Sequence, residues 1–289
     1  MKKFKKVYIE ITNVCNLKCS FCPEFGRPPE FMDIKRFKHI IREVKPFCEY
    51  VYFHVMGEPL LNSNLQSLLK ICYDNFIKVN ITTNGTLLNK CSQILLDSPA
   101  LRKVSISLHS FEANEGNGSL GSYINNVVSF IKKAVHKGII CELRLWNMDN
   151  GQIKGTNEMN NDIIKKLEES FQPGFNLELA VKNQQSVKLE DRLFIGRSEI
   201  FEWPDINKDI MDEKVFCYGL RDQFGILVDG TVVPCCLDSE GNIPLGNIFS
   251  NLLRDILYSE RARSIYDGFS GRKAVEELCK KCGYAKRYK

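Results

Sequence analysis

The chain has 289 residues, 44% of them hydrophobic, and a formal net charge of +5, enough for one large domain and a smaller companion. No apolar run approaches the roughly 18 residues of a membrane helix, and the basic start lacks a small-residue cleavage site, so a cytoplasmic, non-membrane protein is expected. Twelve cysteines without a secretory signal point to metal or redox chemistry rather than a disulfide framework, and so mild a charge is weak support for a nucleic-acid partner.

From residue 7 to 182 strand and helix patterns alternate. Strands are expected at Val7–Thr12, Tyr50–Val55, Ile77–Thr82, Lys103–Leu108, Ile139–Trp146 and Phe175–Val181, with helices at about 33–45, 62–74, 86–97, 119–137 and 158–171. Such repeats imply parallel pairing through right-handed crossovers. Each strand has an apolar face, such as Val7, Ile9 and Ile11, or Leu177 and Leu179 in the sixth. The opposite face is polar or mixed: Tyr8 and Glu10, Tyr52 and His54, Ser105, Ser107 and His109, Glu142, Arg144 and Trp146. Closed eight-stranded barrels fill their interior with branched apolar side chains. A polar interior predicts an open, partial barrel lined for binding.

The first strand leads into a loop that sets Cys15, Cys19 and Cys22 at C-x3-C-x2-C. Three thiolates so close together can hold three irons of a cubane [4Fe–4S] cluster and leave the fourth open to an outside ligand. A zinc knuckle competes, but the next histidine is His39, beyond a proline-rich stretch. Ligands in such sheets sit at the carboxyl ends of strands. The next three strands end in Met56-Gly57-Glu58-Pro59, Thr82-Thr83-Asn84-Gly85 and Ser105-Ile106-Ser107-Leu108-His109-Ser110, although Gly-Pro and Asn-Gly are turn signals in any protein. Glu10, His54, His109 and Glu142 are candidate proton acceptors by their facing, and a histidine titrates near neutrality. Arg144 either clamps a carboxylate bidentately or pairs with Glu142 or Glu10.

Cys48, Cys72, Cys91 and Cys141 fall within helix and strand patterns and read as packing. Beyond a looser bridge at 183–215, Phe224–Val228 and Thr231–Val233 read as a hairpin with a two-residue Asp229-Gly230 turn. A helical segment of about 247–267 follows. Cys217, Cys235, Cys279 and Cys282 are candidates for one second metal site, with structural zinc and iron–sulfur both suited to four cysteines. Cys236, adjacent to Cys235, reads as a non-ligand, though either of the pair could serve. Lys2, Lys3, Lys5, Lys6 and the run Lys286-Arg287-Tyr288-Lys289 are candidate nucleic-acid contacts, or ordinary solvated ends.

The cysteine loop, with Phe21 in the aromatic position of C-x3-C-x-aromatic-C, resembles the signature of the radical S-adenosylmethionine (SAM) superfamily. The resemblance implies a partial (β/α)6 TIM-like barrel over 1–200, with a [4Fe–4S] cluster on Cys15, Cys19 and Cys22. The open iron of that cluster would bind SAM and cleave it reductively to methionine and a 5′-deoxyadenosyl radical that abstracts hydrogen from a substrate. It places Phe21 beside the adenine and Gly57, Glu58 and Pro59 at the methionyl amino group, with Met56 where the family's G-G-E-P begins with glycine. Asn84 would lie near the cofactor, Ser107 at its ribose or carboxylate, and Arg144 is a candidate for that carboxylate.

The spacing C-x12-G-x4-C of Cys217, Gly230 and Cys235, followed by C-x2-C, resembles the Twitch form of the SPASM extension. It implies one auxiliary [4Fe–4S] cluster within 201–289. The layout is similar to that of 2-deoxy-scyllo-inosamine dehydrogenase and, more distantly, of the anaerobic sulfatase-maturating enzymes, in which the auxiliary cluster accepts the second of two electrons removed from the substrate. An oxidoreductase acting on a small polar molecule, a peptide or RNA is therefore expected, with an external low-potential reductant of flavodoxin or ferredoxin type. A non-catalytic electron carrier or redox sensor would need neither Gly57-Glu58-Pro59 nor a polar barrel.

Overall fold

A computed structural model describes residues 3–24, 26–114, 118–146, 159–198 and 201–288. Lys2, Lys289, the first residue of the helix expected from 158, and position 200 at the expected end of the barrel lie outside the described residues. In chain order the elements are β1 (Lys6–Ile9), α1 (Ile34–Val44), β2 (Tyr50–Phe53), a 3-10 turn (Pro59–Leu61), α2 (Leu65–Asp74), β3 (Lys78–Thr83), α3 (Leu88–Leu96), β4 (Leu101–Ser107) and α4 (His109–Glu112). There follow α5 (Leu120–His136), β5 (Ile140–Leu145), α6 (Asn160–Phe171), α7 (Leu177–Asn183), β6 (Ser186–Glu190) and β7 (Leu193–Arg197). The chain ends with β8 (Gln223–Ile226), β9 (Thr231–Val233), β10 (Gly246–Asn247), α8 (Leu253–Leu257), α9 (Glu260–Ser270) and α10 (Glu277–Lys280).

These elements form two compact units. The first holds Met1–Val14, Pro23–Val79 and Phe201–Lys289. Its strands run in the order β10-β9-β8-β1-β2. β1 lies parallel both to β2, with Val7 opposite Val51, and to β8, with Val7 opposite Phe224, while β9 returns antiparallel on β8. Asp33 caps α1 by accepting from the Arg36 amide. The helix-spaced Phe37, Ile40, Ile41 and Val44 are then buried, as are Val7, Ile9, Phe53 and Phe224. Phe37 meets Phe53 edge-on at 5.5 Å, so a helix stripe and an alternating strand face close one core.

The second unit holds Cys15–Cys22 and Asn80–Ile200. Its strand order is β3-β4-β5-β7-β6, parallel from β4 through β5 to β7, with β6 antiparallel at the edge. Val104, Ile106, Leu143 and Leu145 are buried, and α5 contributes Tyr123, Ile124, Val127 and Ile131. Among the described residues no helix is long and apolar enough to cross a membrane.

The first five expected strands are present with ends shifted by a few residues. The sixth is not: Phe175–Val181 falls in α7. Asn176 caps this helix, accepting from the Leu179 amide at 2.7 Å, and Glu178 pairs with Lys182 one turn on. Leu177 and Val181, four apart, are buried, whereas Leu179 is 60% exposed. The sixth strand is instead β7, reached through a hairpin from β6 inside the supposed bridge. Two smaller corrections concern the second half. The β8–β9 loop has three residues rather than two, because Leu227 exchanges hydrogen bonds with Gly230 and Thr231, both 2.9 Å, and Gly230 takes φ +90° in a bulge of the G1 type. The segment 247–267 is not one helix: β10 opens it, and Ser259 starts α9 afresh as an N-cap on the Ala262 amide.

Candidate functional site

In the second unit the loop carrying Cys15, Cys19 and Cys22 is held by two asparagines. Asn84, directly after β3, donates to Asn16 Oδ1 at 3.0 Å and to Cys15 Sγ at 3.8 Å. Asn114, after α4, donates to Cys19 Sγ at 3.0 Å and accepts from the Lys18 amide at 2.8 Å. The Leu17 amide adds a bond to Cys15 Sγ at 3.4 Å. Hydrogen bonding from Cys22 holds Cys19 below the ordinary thiol range, and the same bond raises Cys22. The Cys15 and Cys19 sulfurs are thus met by N–H donors, the environment a metal-bound thiolate uses.

This unit also gathers Phe21, Ser107, His109, Glu142 and Arg144. The Phe21 ring lies 4.8 Å from His109, which stacks on Trp146 at 6.4 Å. The Arg144 guanidinium lies 4.6 Å from the Trp146 ring centre. Of the two readings left open for Arg144, the structure gives it a carboxylate partner: its Nε donates to Glu142 Oε2 at 2.9 Å. Ser105 donates to the same oxygen at 2.8 Å and Lys103 stands 3.1 Å away. Burial works to raise Glu142, but Arg144, Lys103 and these hydrogen bonds hold it down to about 2. Burial pushes His109 down to about 4, leaving it neutral at pH 7. Ser107 ends β4 half-buried, its carbonyl accepting from Ser110 Oγ at 2.6 Å.

The stems of the cysteine loop belong to the first unit. Glu10 is fully buried and receives four N–H groups: Arg27 Nη1 at 2.8 Å and Nη2 at 2.7 Å, the Met56 amide at 3.2 Å and the Val228 amide at 2.9 Å. A carboxylate offers about four lone-pair sites, so its capacity is filled. Asn13 bonds Pro28 O and the Glu30 amide, both 2.8 Å, and Thr12 donates to Glu30 O at 2.8 Å. Asn62 reaches Ile11 O at 2.8 Å. Gly57 has φ +75°, and a Cβ there would lie 2.5 Å from Thr12 O and 2.8 Å from Val14 O. The Glu58 amide donates to Val14 O at 2.8 Å while its carboxylate accepts from the Leu60 amide at 3.0 Å, so Pro59 opens the 3-10 turn. The Gly-Glu-Pro turn is therefore fastened to the residue that immediately precedes Cys15. His54 is half-buried, its ring 6.3 Å from that of Tyr8.

Also within the first unit, Cys217, Cys235, Cys279 and Cys282 line one cavity together with Val215, Phe269 and Leu278, among other residues. Burial raises all four thiols, Cys217 to about 11. Asp238, also in the wall, ties down its own loop by accepting from the Asn242 and Ile243 amides at 2.8 and 2.9 Å. Cys236 packs against the cluster of Tyr8, Met56 and Val233. Among the described residues no three His, Cys, Asp or Glu side chains form a group suited to a single metal ion. Arg27, Asn62, Asn114 and Asp238 escaped sequence reasoning, since none stands in a recognisable spacing.

Residues 9–150 match the family model of the radical SAM superfamily, and residues 217–283 match that of SPASM, an iron–sulfur cluster-binding domain. The chain belongs to the radical SAM superfamily. Its C-terminal part is a SPASM domain. A relative from Methanococcus maripaludis, described as a probable GTP 3′,8-cyclase, is 32% identical over 143 residues, 48% of this chain and 48% of the relative. This radical SAM chain thus aligns with about half the length of that relative. Among solved structures, BtrN in complex with AdoMet and 2-DOIA has TM-score 0.60 at 20% identity, covering 98% of this chain and 94% of BtrN. Streptococcus suis SuiB bound to precursor peptide SuiA has TM-score 0.61 at 20% identity, covering 98% and 70%. These likenesses establish the fold, a mixed α/β radical SAM barrel with a SPASM extension.

Proposed function

We propose that this chain is a radical SAM enzyme that oxidises its substrate by two electrons, with an auxiliary [4Fe–4S] cluster rather than zinc in its C-terminal site. The observation that carries the reading is that Cys217, Cys235, Cys279 and Cys282 line one cavity, which would supply a second redox centre in addition to that of Cys15, Cys19 and Cys22. When bound, the first cluster and SAM supply a 5′-deoxyadenosyl radical able to remove hydrogen from an unactivated carbon.

The chain's own residues position and insulate. Asn84 and Asn114 hold the cysteine loop and direct N–H groups at its sulfurs, one lever on cluster potential. Gly57, Glu58 and Pro59 would offer backbone groups to the cofactor's amino end. Phe21 would flank the adenine, and Ser107 would meet the ribose or carboxylate. Arg144 is neutralised by Glu142, so we assign it to orienting rather than to clamping alone. Among the proton acceptors, Glu10 is saturated, Glu142 is held ionised at low pKa, and His109 is a weak base. We therefore assign the role to His54, which lies half-buried on the polar side of its strand.

The substrate is a small polar molecule, a peptide or RNA, and an external flavodoxin or ferredoxin supplies low-potential electrons. The test is anaerobic reconstitution, metal analysis and EPR of the reduced protein with and without SAM. About eight irons and a SAM-sensitive component are expected for two clusters, one with an open iron. About four irons with one zinc would refute the auxiliary electron acceptor. Turnover is then sought with GTP, aminocyclitols and peptides.

A further inference from the structure

We propose that Arg27 is a positioning residue that sets both metal sites at once, an inference that rests on the two-centre reading above. Glu10 precedes Cys15 by five residues and Arg27 follows Cys22 by five. Their bidentate pair therefore closes the stems of the cysteine loop. The same guanidinium sends Nε to the carbonyl of Ser239 at 2.7 Å, and the neighbouring Gly26 amide donates to Glu240 Oε1 at 2.9 Å. Ser239 directly follows Asp238, which walls the cavity of Cys217, Cys235, Cys279 and Cys282. The remaining acceptor sites of Glu10 hold Met56, which opens the Gly57-Glu58-Pro59 turn, and Val228 in the β8–β9 loop. One ion pair thus touches the entry and exit of the first cysteine set, the neighbouring turn and the residue that follows Asp238 in the wall of the second cavity.

Side-chain exposure is 0% for Glu10 and 12% for Arg27, so water neither screens the pair nor replaces a lost partner. General cohesion would be served as well by apolar side chains of similar volume. The planar guanidinium does something they cannot: its fixed fork holds a carboxylate with one edge and a backbone carbonyl with its remaining N–H, setting the register of two segments. A lysine, with a single point charge, cannot span both.

The experiment compares Arg27→Gln and Arg27→Lys with Leu167→Ala, a change at a fully buried site on α6 remote in sequence from both cysteine sets. The full chain is reconstituted without oxygen, SAM affinity is read from the EPR change, and the potential of the auxiliary centre is measured by redox titration. Both Arg27 variants are expected to weaken SAM binding by about tenfold or more, as for loss of a charged buried hydrogen-bond partner, and also to shift the auxiliary potential. Leu167→Ala is expected to lower the unfolding midpoint and move neither quantity. Should Arg27→Gln not fold, Arg27→Lys, which keeps the charge, supplies the same comparison. Unchanged SAM affinity and potential in the Arg27 variants would overturn the proposal, as would equal changes in Leu167→Ala. If the unmodified chain holds only one centre, the two-centre reading fails first and removes the proposal with it; if it holds both and only the variants disappoint, the role of Arg27 alone is wrong.

Discussion

Gly57→Ala is the smallest change that tests how the Gly-Glu-Pro turn is joined to the cysteine loop. Two costs add. The residue has φ +75°, which costs an alanine about 1 kcal/mol. Its new methyl would stand 2.5 Å from Thr12 O, 2.8 Å from Asn13 C and 2.8 Å from Val14 O, and overpacking against groups that cannot yield costs roughly 1–3 kcal/mol. These atoms cannot retreat freely: the Val14 amide is bonded to Thr12 Oγ1 at 3.0 Å, Val14 O accepts from the Glu58 amide, and Thr12 pairs with Phe31. A loss of about 2–4 kcal/mol is expected. Relief requires separating the turn from residues 12–14 by roughly half an ångström or more, and a displacement of that order at a reacting site costs tens-fold in rate. Gly174→Ala is the control, since Gly174 also has φ +75° but an added Cβ there would meet nothing within 4 Å; it should lose about 1 kcal/mol. Urea unfolding of both variants, with SAM binding measured in parallel, checks the numbers. Equal losses for the two, or undiminished SAM binding in Gly57→Ala, would show that the contact with residues 12–14 does not constrain the loop.

Three further outcomes are expected. Cys235→Ser should lose the auxiliary iron, about four of eight atoms per chain, whereas Cys236→Ser should keep it; equal iron in both would place the ligand elsewhere. His109 has a folded pKa of about 4 against about 6.5 in the unfolded chain. Between these values only the unfolded chain takes the proton, so stability is complete above about pH 6.5 and falls by roughly 3 kcal/mol as pH drops toward 4. His109→Gln should flatten that part of the stability–pH curve in urea titrations, and an unchanged slope would mean that the ring is hydrated. On α7, Leu179→Lys should cost no more than about 0.5 kcal/mol while Leu177→Ala costs about 2–5 kcal/mol; the reverse order would restore the strand reading of this segment.

What was legible in the sequence was what local spacing encodes. The alternation in Val7–Ile11 or Val104–Leu108 reports a strand covered on one side, and the cysteine spacings need no knowledge of the fold. The reading of Leu177 and Leu179 as a strand face failed because two leucines two apart fit a strand as well as a helix end. The deciding signals, Asn176 as a cap and Glu178 with Lys182 one turn later, are equally local and outweigh them. The β6–β7 hairpin was hidden for a different reason. Its turn, Asp191-Arg192, lacks glycine, and Arg192 itself takes φ 61°, a conformation that no residue preference announces. Arg27 could not be found at all. Its partners Glu10 and Ser239 lie 17 and 212 positions away, and nothing in a proline-rich stretch marks one arginine as buried.

The candidates for acid–base chemistry show why facing alone misassigns roles. Charged residues on a strand's polar side look like catalysts in sequence, yet the structure pairs them. Glu10 is saturated by Arg27 and two amides, and Glu142 is held by Arg144, Lys103 and Ser105. Glu142, which Arg144 and Lys103 hold down to about 2, gains little by accepting a proton, because the proton would have to replace those interactions. Such pairs lend a polar interior rigidity without basicity. The chemistry of an enzyme whose cofactor performs the hard step asks for that combination: fixed dipoles around a reactive species, few groups that exchange protons, and one modest base. By this argument His54→Asn should lower kcat, while Glu142→Gln should act mainly through the position of Arg144 and leave the shape of the pH profile intact.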